Sequence, residues 1–244
     1  MNAIEVTNLT FSYSDGRIVL RDVCFALRQG ETLVVAGLSG SGKSTLCHIL
    51  SGVIPHSVGG NLSGLVTIMD IDPAKSGLPQ AALRAGLVFQ DPDSQIICST
   101  VEDELAFGLE NLCIPPEEIR AGVDVLLAEF GLTSLRAANP AHLSGGQKKL
   151  LTIAAVLAPS PPVLILDEPM SGLDEEGRDL VRAAVLGQRT SGRTVVIVDH
   201  DPVPYDFADK WLILDTGAPA AYGTPGEMAE QNELMKRLGG WSLL

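Results

Sequence analysis

An α/β fold with a mostly parallel sheet is predicted by three features of this 244-residue sequence. Short apolar runs of β character recur at Leu65–Met69, Gly86–Phe89, Val163–Leu166, Thr194–Val198 and Trp211–Leu214. Helix-compatible stretches such as Glu175–Gln188 lie between them, the alternation that buries a parallel sheet under helices on both faces. A further run, Thr32–Ala36, ends directly in a Gly-rich loop that opens a helix over Lys43–Leu50.

The elements follow in order. Ile4–Leu9 and Val19–Phe25 flank the turn signal Ser14-Asp15-Gly16, and with Thr32–Ala36 they read as a small, partly antiparallel N-terminal β layer. Pro55 to Gly64 carries three glycines and a proline and reads as a turn or loop. Between Asp91 and Ala158 strand signals vanish, and helical patterns broken at Pro115-Pro116 and Asn139-Pro140 predict an inserted helical subdomain. Pro225 to Leu244 reads as a terminal helix with a frayed end. The expected organisation is one domain over 1–244. Its β subdomain and core occupy about 1–90 and 159–224, its helical subdomain about 91–158, and its tail about 225–244.

Composition excludes some functions. Hydrophobic residues make up 45% of the chain and charged residues 19%, as expected of a chain with a packed core. Thirty acidic against seventeen basic residues give a formal charge of −13, which opposes general attraction to nucleic acid or anionic lipid. The richest apolar stretch, Leu150 to Leu166, is cut by Pro159, Pro161 and Pro162, so no bilayer-spanning helix of ~20 apolar residues is expected. Cys24, Cys47, Cys98 and Cys113 show no C-x-x-C pairing and no secretory signal is read ahead of them, which favours reduced thiols in a cytosol.

Three motifs carry chemistry. Gly37-Leu38-Ser39-Gly40-Ser41-Gly42-Lys43-Ser44-Thr45 fits the phosphate-binding pattern G-x-x-x-x-G-K-[ST], between a strand and a helix as the P-loop requires. Its glycines let successive N–H groups face one phosphate at the positive end of the following helix. Lys43 is expected to neutralise the β- and γ-phosphates of ATP and Ser44 to offer its hydroxyl to Mg2+. Val163–Leu166 delivers Asp167 and Glu168 at a strand end, Asp167 beside the Mg2+ and Glu168 where it polarises an attacking water. In Leu143-Ser144-Gly145-Gly146-Gln147, a Ser and two glycines precede a helix; this reads either as an ordinary helix cap or as a second anion cradle without a lysine.

With the P-loop and the Asp167-Glu168 strand on either side of it, Leu143–Gln147 resembles the signature of the ABC ATPase family. That resemblance covers nearly the whole chain. It implies a P-loop NTPase core with an N-terminal antiparallel β subdomain and an inserted helical subdomain, and two subunits sandwiching two ATP molecules between the P-loop of one and Ser144, Gly145, Gly146 and Gln147 of the other. It also implies that Gln90 senses Mg2+ and the γ-phosphate, that Asp174 in Ser171-Gly172-Leu173-Asp174 communicates across the dimer, and that His200 contacts the γ-phosphate. Tyr13 matches the aromatic that stacks on adenine, with Phe11 a rival at the same face period.

Phe89–Gln95 and Thr100–Asn111 narrow the resemblance to ATPases of energy-coupling factor importers of vitamins or transition-metal ions. Such an assembly implies a second ATPase subunit (homodimer or heterodimer), a transmembrane coupling protein and a substrate-binding membrane subunit, no nucleic acid, and a peripheral place on the cytoplasmic face of the membrane. Another class of ABC transporter ATPase and a soluble ABC machine are the alternatives. A P-loop kinase or GTPase would not require Leu143–Gln147.

The chain departs from the family at single residues: Leu150 stands where many relatives have Arg, leaving Lys148 and Lys149 as the nearby cations, and Asp199 stands where Thr or Ser is commoner. The acidic run Glu102–Glu104 reads as a solvated face or as a docking surface. His48, His56 and His142 lie too far apart in sequence to suggest a structural metal.

Overall fold

The computed structural model describes residues 1–230. The described residues form two compact units, one of Met1–Leu87, Pro162–Glu168 and 188–230, the other of Val88–Pro161 and Pro169–Gly187.

In the first unit, β1 (Asn2–Tyr13) and β2 (Ile18–Arg28) form an antiparallel hairpin, and β3 (Thr32–Ala36) runs into the loop before α1 (Lys43–Leu50). Three one-turn helices follow, α2 (Val53–His56), α3 (Pro73–Ser76) and α4 (Leu78–Ala82), with β4 (Gly60–Ile68) between the first two and β5 (Ala85–Val88) after the last. The second unit holds α5 (Val101–Asn111), α6 (Pro116–Glu129), α7 (Gly145–Leu157) and most of α8 (Glu175–Thr190). The first unit is completed by β6 (Val163–Asp167), β7 (Thr194–Asp199), β8 (Lys210–Asp215), β9 (Ala218–Gly223) and α9 (Pro225–Glu230).

The strands make two sheets, β2-β1-β4 and β5-β6-β7-β3-β8-β9. The predicted α/β class holds. Every residue of β3, β6 and β7 is buried, so these apolar runs pack on both faces. That two-sided burial suits parallel pairing, and β3 pairs parallel with both β7 and β8, as does β6 with β7. Their register aligns Ala36 with Asp199 and Asp167 with Val198, so three strands end at one level. The loops that follow them therefore open at one carboxyl edge of the sheet, where α/β proteins place their ligands.

Three expectations are corrected, and one strand, β9, is added. Thr32–Ala36 belongs to the large parallel sheet rather than the N-terminal layer, whose third strand is β4. That strand begins at Gly60, inside the segment read as a loop. A Cβ on Gly60 would lie 2.5 Å from the Phe11 ring, so this glycine serves close strand approach rather than a turn. β9, with the sequence Ala-Pro-Ala-Ala-Tyr-Gly, carries little β propensity and forms because the turn at Thr216-Gly217, both at positive φ, returns it antiparallel to β8. Residues 169–187, read as part of the core, group with the second unit, where α7 and α8 meet at Gly146 and Gly177. Of the predicted terminal helix, Pro225–Glu230 is helical and the remainder lies outside the described residues.

Candidate functional site

In the first unit the carboxyl edge gathers the P-loop, Asp167, Glu168 and His200. Helix α1 begins at Lys43 with Gly42 as its N-cap, in the left-handed region at φ 97, and no side chain caps it. Its first N–H groups are therefore left for a ligand. The Ser41 hydroxyl is buried and has no hydrogen-bond partner among the described residues, an orphan that a phosphate oxygen would satisfy. Ser39 and Ser44 are exposed, whereas Gly37 and Thr45 are buried.

Lys43 is buried and donates from Nζ to the carbonyls of Gly37 (2.8 Å) and Leu38 (3.1 Å), arching over the loop. Burial pulls its ammonium below the ordinary lysine range, while the carboxylates of Glu168, Asp167 and Asp199 act in the opposite direction. Three carboxylates thus act on the one lysine that arches over the loop. Glu168 leaves β6 at φ 44, a left-handed conformation that costs a non-glycine residue about 1–2 kcal/mol, and its N–H bonds the Val198 carbonyl at 2.7 Å.

Tyr13, at the end of β1, joins its hydroxyl to Thr45 Oγ1 at 3.1 Å. Its ring meets Phe11 edge to face and lies under the Arg17 guanidinium, 5.4 Å from the ring centroid. Phe11 is fully buried and presents no face to a ligand, which separates the two aromatic candidates. His200 is exposed directly after β7, with its Nδ1 2.8 Å from Asp199 Oδ1.

The second unit holds Gln90, Ser144–Gln147 and Asp174. Ser144 caps α7 with a reciprocal box: its Oγ accepts from Gln147 N (3.3 Å), and Gln147 Oε1 accepts from Ser144 N (3.0 Å). The cap and the anion cradle are compatible, because the Ser144 hydroxyl proton is not used in the box. A Cβ on Gly146 would fall 2.9 Å from Gly177 Cα, so the second signature glycine seats α7 against α8. Asp174 caps α8, its Oδ1 accepting from Gly177 N at 2.9 Å.

Several contributors escaped the sequence reading. Lys149 is buried within α7 and donates from Nζ to the carbonyls of Phe89 (3.1 Å) and Gln90 (2.5 Å), tying the signature helix to the Gln90 segment. The acidic run divides in function. Glu102 is paired with Arg136, Asp103 bonds the capping Thr100, and Glu104 is buried, accepting from Ile97 N and Cys98 N. The signal that finds them is a lysine or glutamate at a position where the helix presents its buried face. Among the described residues no group of three His, Cys, Asp or Glu is placed to hold a metal ion by itself.

The ABC transporter family model matches residues 20–171. A putative ABC transporter ATP-binding protein of Pyrococcus abyssi is 40% identical over 98% of this chain and 86% of its own. The energy-coupling factor transporter ATP-binding protein EcfA of Methanothermobacter thermautotrophicus is 36% identical over 96% of this chain and 75% of its own. Among solved structures, cbiO1 of Clostridium perfringens, described as part of the ABC transporter complex cbiONQ, superposes with a TM-score of 0.84 at 32% identity, covering 97% of this chain and 94% of that one. The P-loop edge, the capped Leu143–Gln147 helix and these relatives agree: the chain belongs to the ABC transporter ATP-binding family and is an ATP-binding, ATP-hydrolysing subunit homologous to those of energy-coupling factor transporters.

Proposed function

We propose that this chain is the motor of an energy-coupling factor importer of a vitamin or transition-metal ion, working from the cytoplasmic face of the membrane. No described helix is long and apolar enough to cross a membrane, which supports a peripheral subunit whose membrane path comes from partners. These are a transmembrane coupling protein and a substrate-binding membrane subunit. The names of the relatives support that assembly.

The observation that carries the chemical reading is the common carboxyl edge of β3, β6 and β7. There Tyr13 faces the adenine, and Gly37, Ser39, Gly40, Ser41, Gly42 and Thr45 wrap the phosphates. Lys43 neutralises the terminal ones. The oxygen donors Ser44 and Asp167 suit Mg2+, which favours oxygen ligands and keeps phosphate and water among them, and the family resemblance assigns Gln90 to the same ion. When bound, that ion supplies charge neutralisation at the β- and γ-phosphates. Glu168 orients and polarises the attacking water, and His200 holds the γ-phosphate. Ser144, Gly145, Gly146 and Gln147 contact the ATP of a second ATPase subunit, identical or a sister chain, and Asp174 lies at that subunit boundary. Binding of ATP closes the pair; hydrolysis reopens it.

Glu168→Gln tests the chemistry. Nucleotide binding should persist while turnover falls by about 10²- to 10⁴-fold, the contribution of a general base; unchanged hydrolysis removes Glu168 from the role. Stoichiometric copurification of integral membrane proteins is expected from the native membrane, and cosedimentation with ribosomes or DNA in their place would overturn the transporter reading.

A further inference from the structure

Asp199 is the charged residue this chain carries immediately before His200, and it is 5% exposed. A buried carboxylate needs donors on both oxygens, and this one has them. Oδ1 accepts from His200 N at 2.7 Å and lies 2.8 Å from His200 Nδ1. Oδ2 accepts from the Tyr205 hydroxyl at 2.7 Å. Tyr205 is itself fully buried, and burial together with the Asp199 charge pushes its hydroxyl far above the ordinary tyrosine range, so it stays a donor.

We infer that Asp199, anchored by Tyr205, is a positioning residue that fixes the ring of His200 with Nδ1–H toward the protein and Nε2 outward. The hydrogen bond at one ring nitrogen decides what the other presents. A ring held at Nδ1 has lost its freedom to flip, so Nε2 meets the incoming γ-phosphate without further ordering. A Thr or Ser hydroxyl at position 199 would supply neither the charge nor the second oxygen that Tyr205 grips. With Nδ1–H donated to Asp199, Nε2 donates to a phosphate oxygen once the ring takes up a second proton. The other charged groups acting on this cluster include Lys43, Glu168 and Asp201.

The inference rests on the assignment of His200 to the γ-phosphate, and the experiment separates the two. Imidazole 15N shifts of the full chain, read at alkaline pH where the ring is neutral, should show the Nδ1–H tautomer for His200, the opposite of the preference of free histidine. An Nε2–H tautomer in the unsubstituted protein overturns the positioning role without any variant. In the assembled ATPase, Asp199→Asn should mix the tautomers and lower kcat by roughly tenfold, the usual effect of losing an orienting partner, with KM for ATP within about twofold. Tyr205→Phe should do the same more weakly. Unchanged kcat and tautomer in Asp199→Asn refute the inference; should that variant fail to fold, the unsubstituted spectrum and Tyr205→Phe still decide it. Full turnover in His200→Ala instead removes the γ-phosphate assignment, leaving the tautomer measurement to judge the Asp199 contact.

Discussion

Two helix N-termini in this protein, both proposed to meet phosphate, are built in opposite ways. Helix α1 starts from a glycine in the left-handed region, has no side-chain cap, and keeps a buried lysine folded across its mouth. Helix α7 starts from Ser144 with a complete capping box, carries no lysine at its mouth, and owes its second glycine to contact with α8. The first leaves donors unsatisfied and supplies a full positive charge. The second satisfies Gln147 N within its own cap and is left with the N–H groups of Gly145 and Gly146, the helix dipole and one hydroxyl proton, without a side-chain charge of its own aimed at the ligand. The P-loop is thus equipped to hold a polyphosphate alone, whereas the signature is equipped to add to a phosphate already held. That asymmetry suits the proposed sharing of one nucleotide between two chains.

The largest expected effect removes the charge that separates the two cradles. In Lys43→Met, the loss of charge-assisted hydrogen bonds worth about 3 kcal/mol should weaken ATP binding by roughly 100-fold. Titration with a fluorescent ATP analogue measures it. Affinity within a few fold of the parent would show that the loop N–H groups suffice, and the contrast with α7 would collapse.

The glycines break the comparison differently. Gly40 sits at φ +80 with open space around it, so Gly40→Ala meets only the left-handed backbone penalty, about 1–2 kcal/mol, and Gly40→Asn should cost less because Asn tolerates that region. At Gly146 the objection is spatial, with Gly177 Cα 2.9 Å from the added carbon. Gly146→Ala should lose about 1–3 kcal/mol to overpacking, of which helix propensity returns at most about 1. Gly146→Asn should be worse than Gly146→Ala, the reverse of the order at Gly40. Thermal denaturation of the four variants reads both orders, and equal ranking at the two sites would refute the distinction.

Why the sequence exposed the P-loop so fully and the signature so partially follows from the same contrast. Phosphate binding by backbone demands fixed residue types at fixed spacing, so Gly37–Thr45, the strand before it and the helix after it were legible with near-correct bounds. The all-buried runs β3, β6 and β7 were equally plain because two-sided burial leaves a continuous apolar word. What escaped depends on distant partners. Gly146 needs Gly177, Lys149 needs the carbonyls of Phe89 and Gln90, and β9 needs β8 more than its own propensity. Glu104 looked like surface because its neighbours are surface; only the fold turns it toward Ile97 and Cys98.

The smallest effect sharpens what the cap itself contributes. Ser144→Ala removes the acceptor for Gln147 N and should destabilise α7 by about 1 kcal/mol, while Ser144→Thr keeps an acceptor and should lose less. Because Ser144 Oγ both accepts within its own helix and has a proton left to donate, the two substitutions separate stability from ligand binding. Thermal denaturation should rank Ala below Thr below the parent. If Ser144→Ala leaves the melting temperature untouched yet lowers turnover in the assembled ATPase, the capping box contributes nothing to α7. The hydroxyl would then serve the nucleotide alone, and the two N-termini would be more alike than their hydrogen bonds imply.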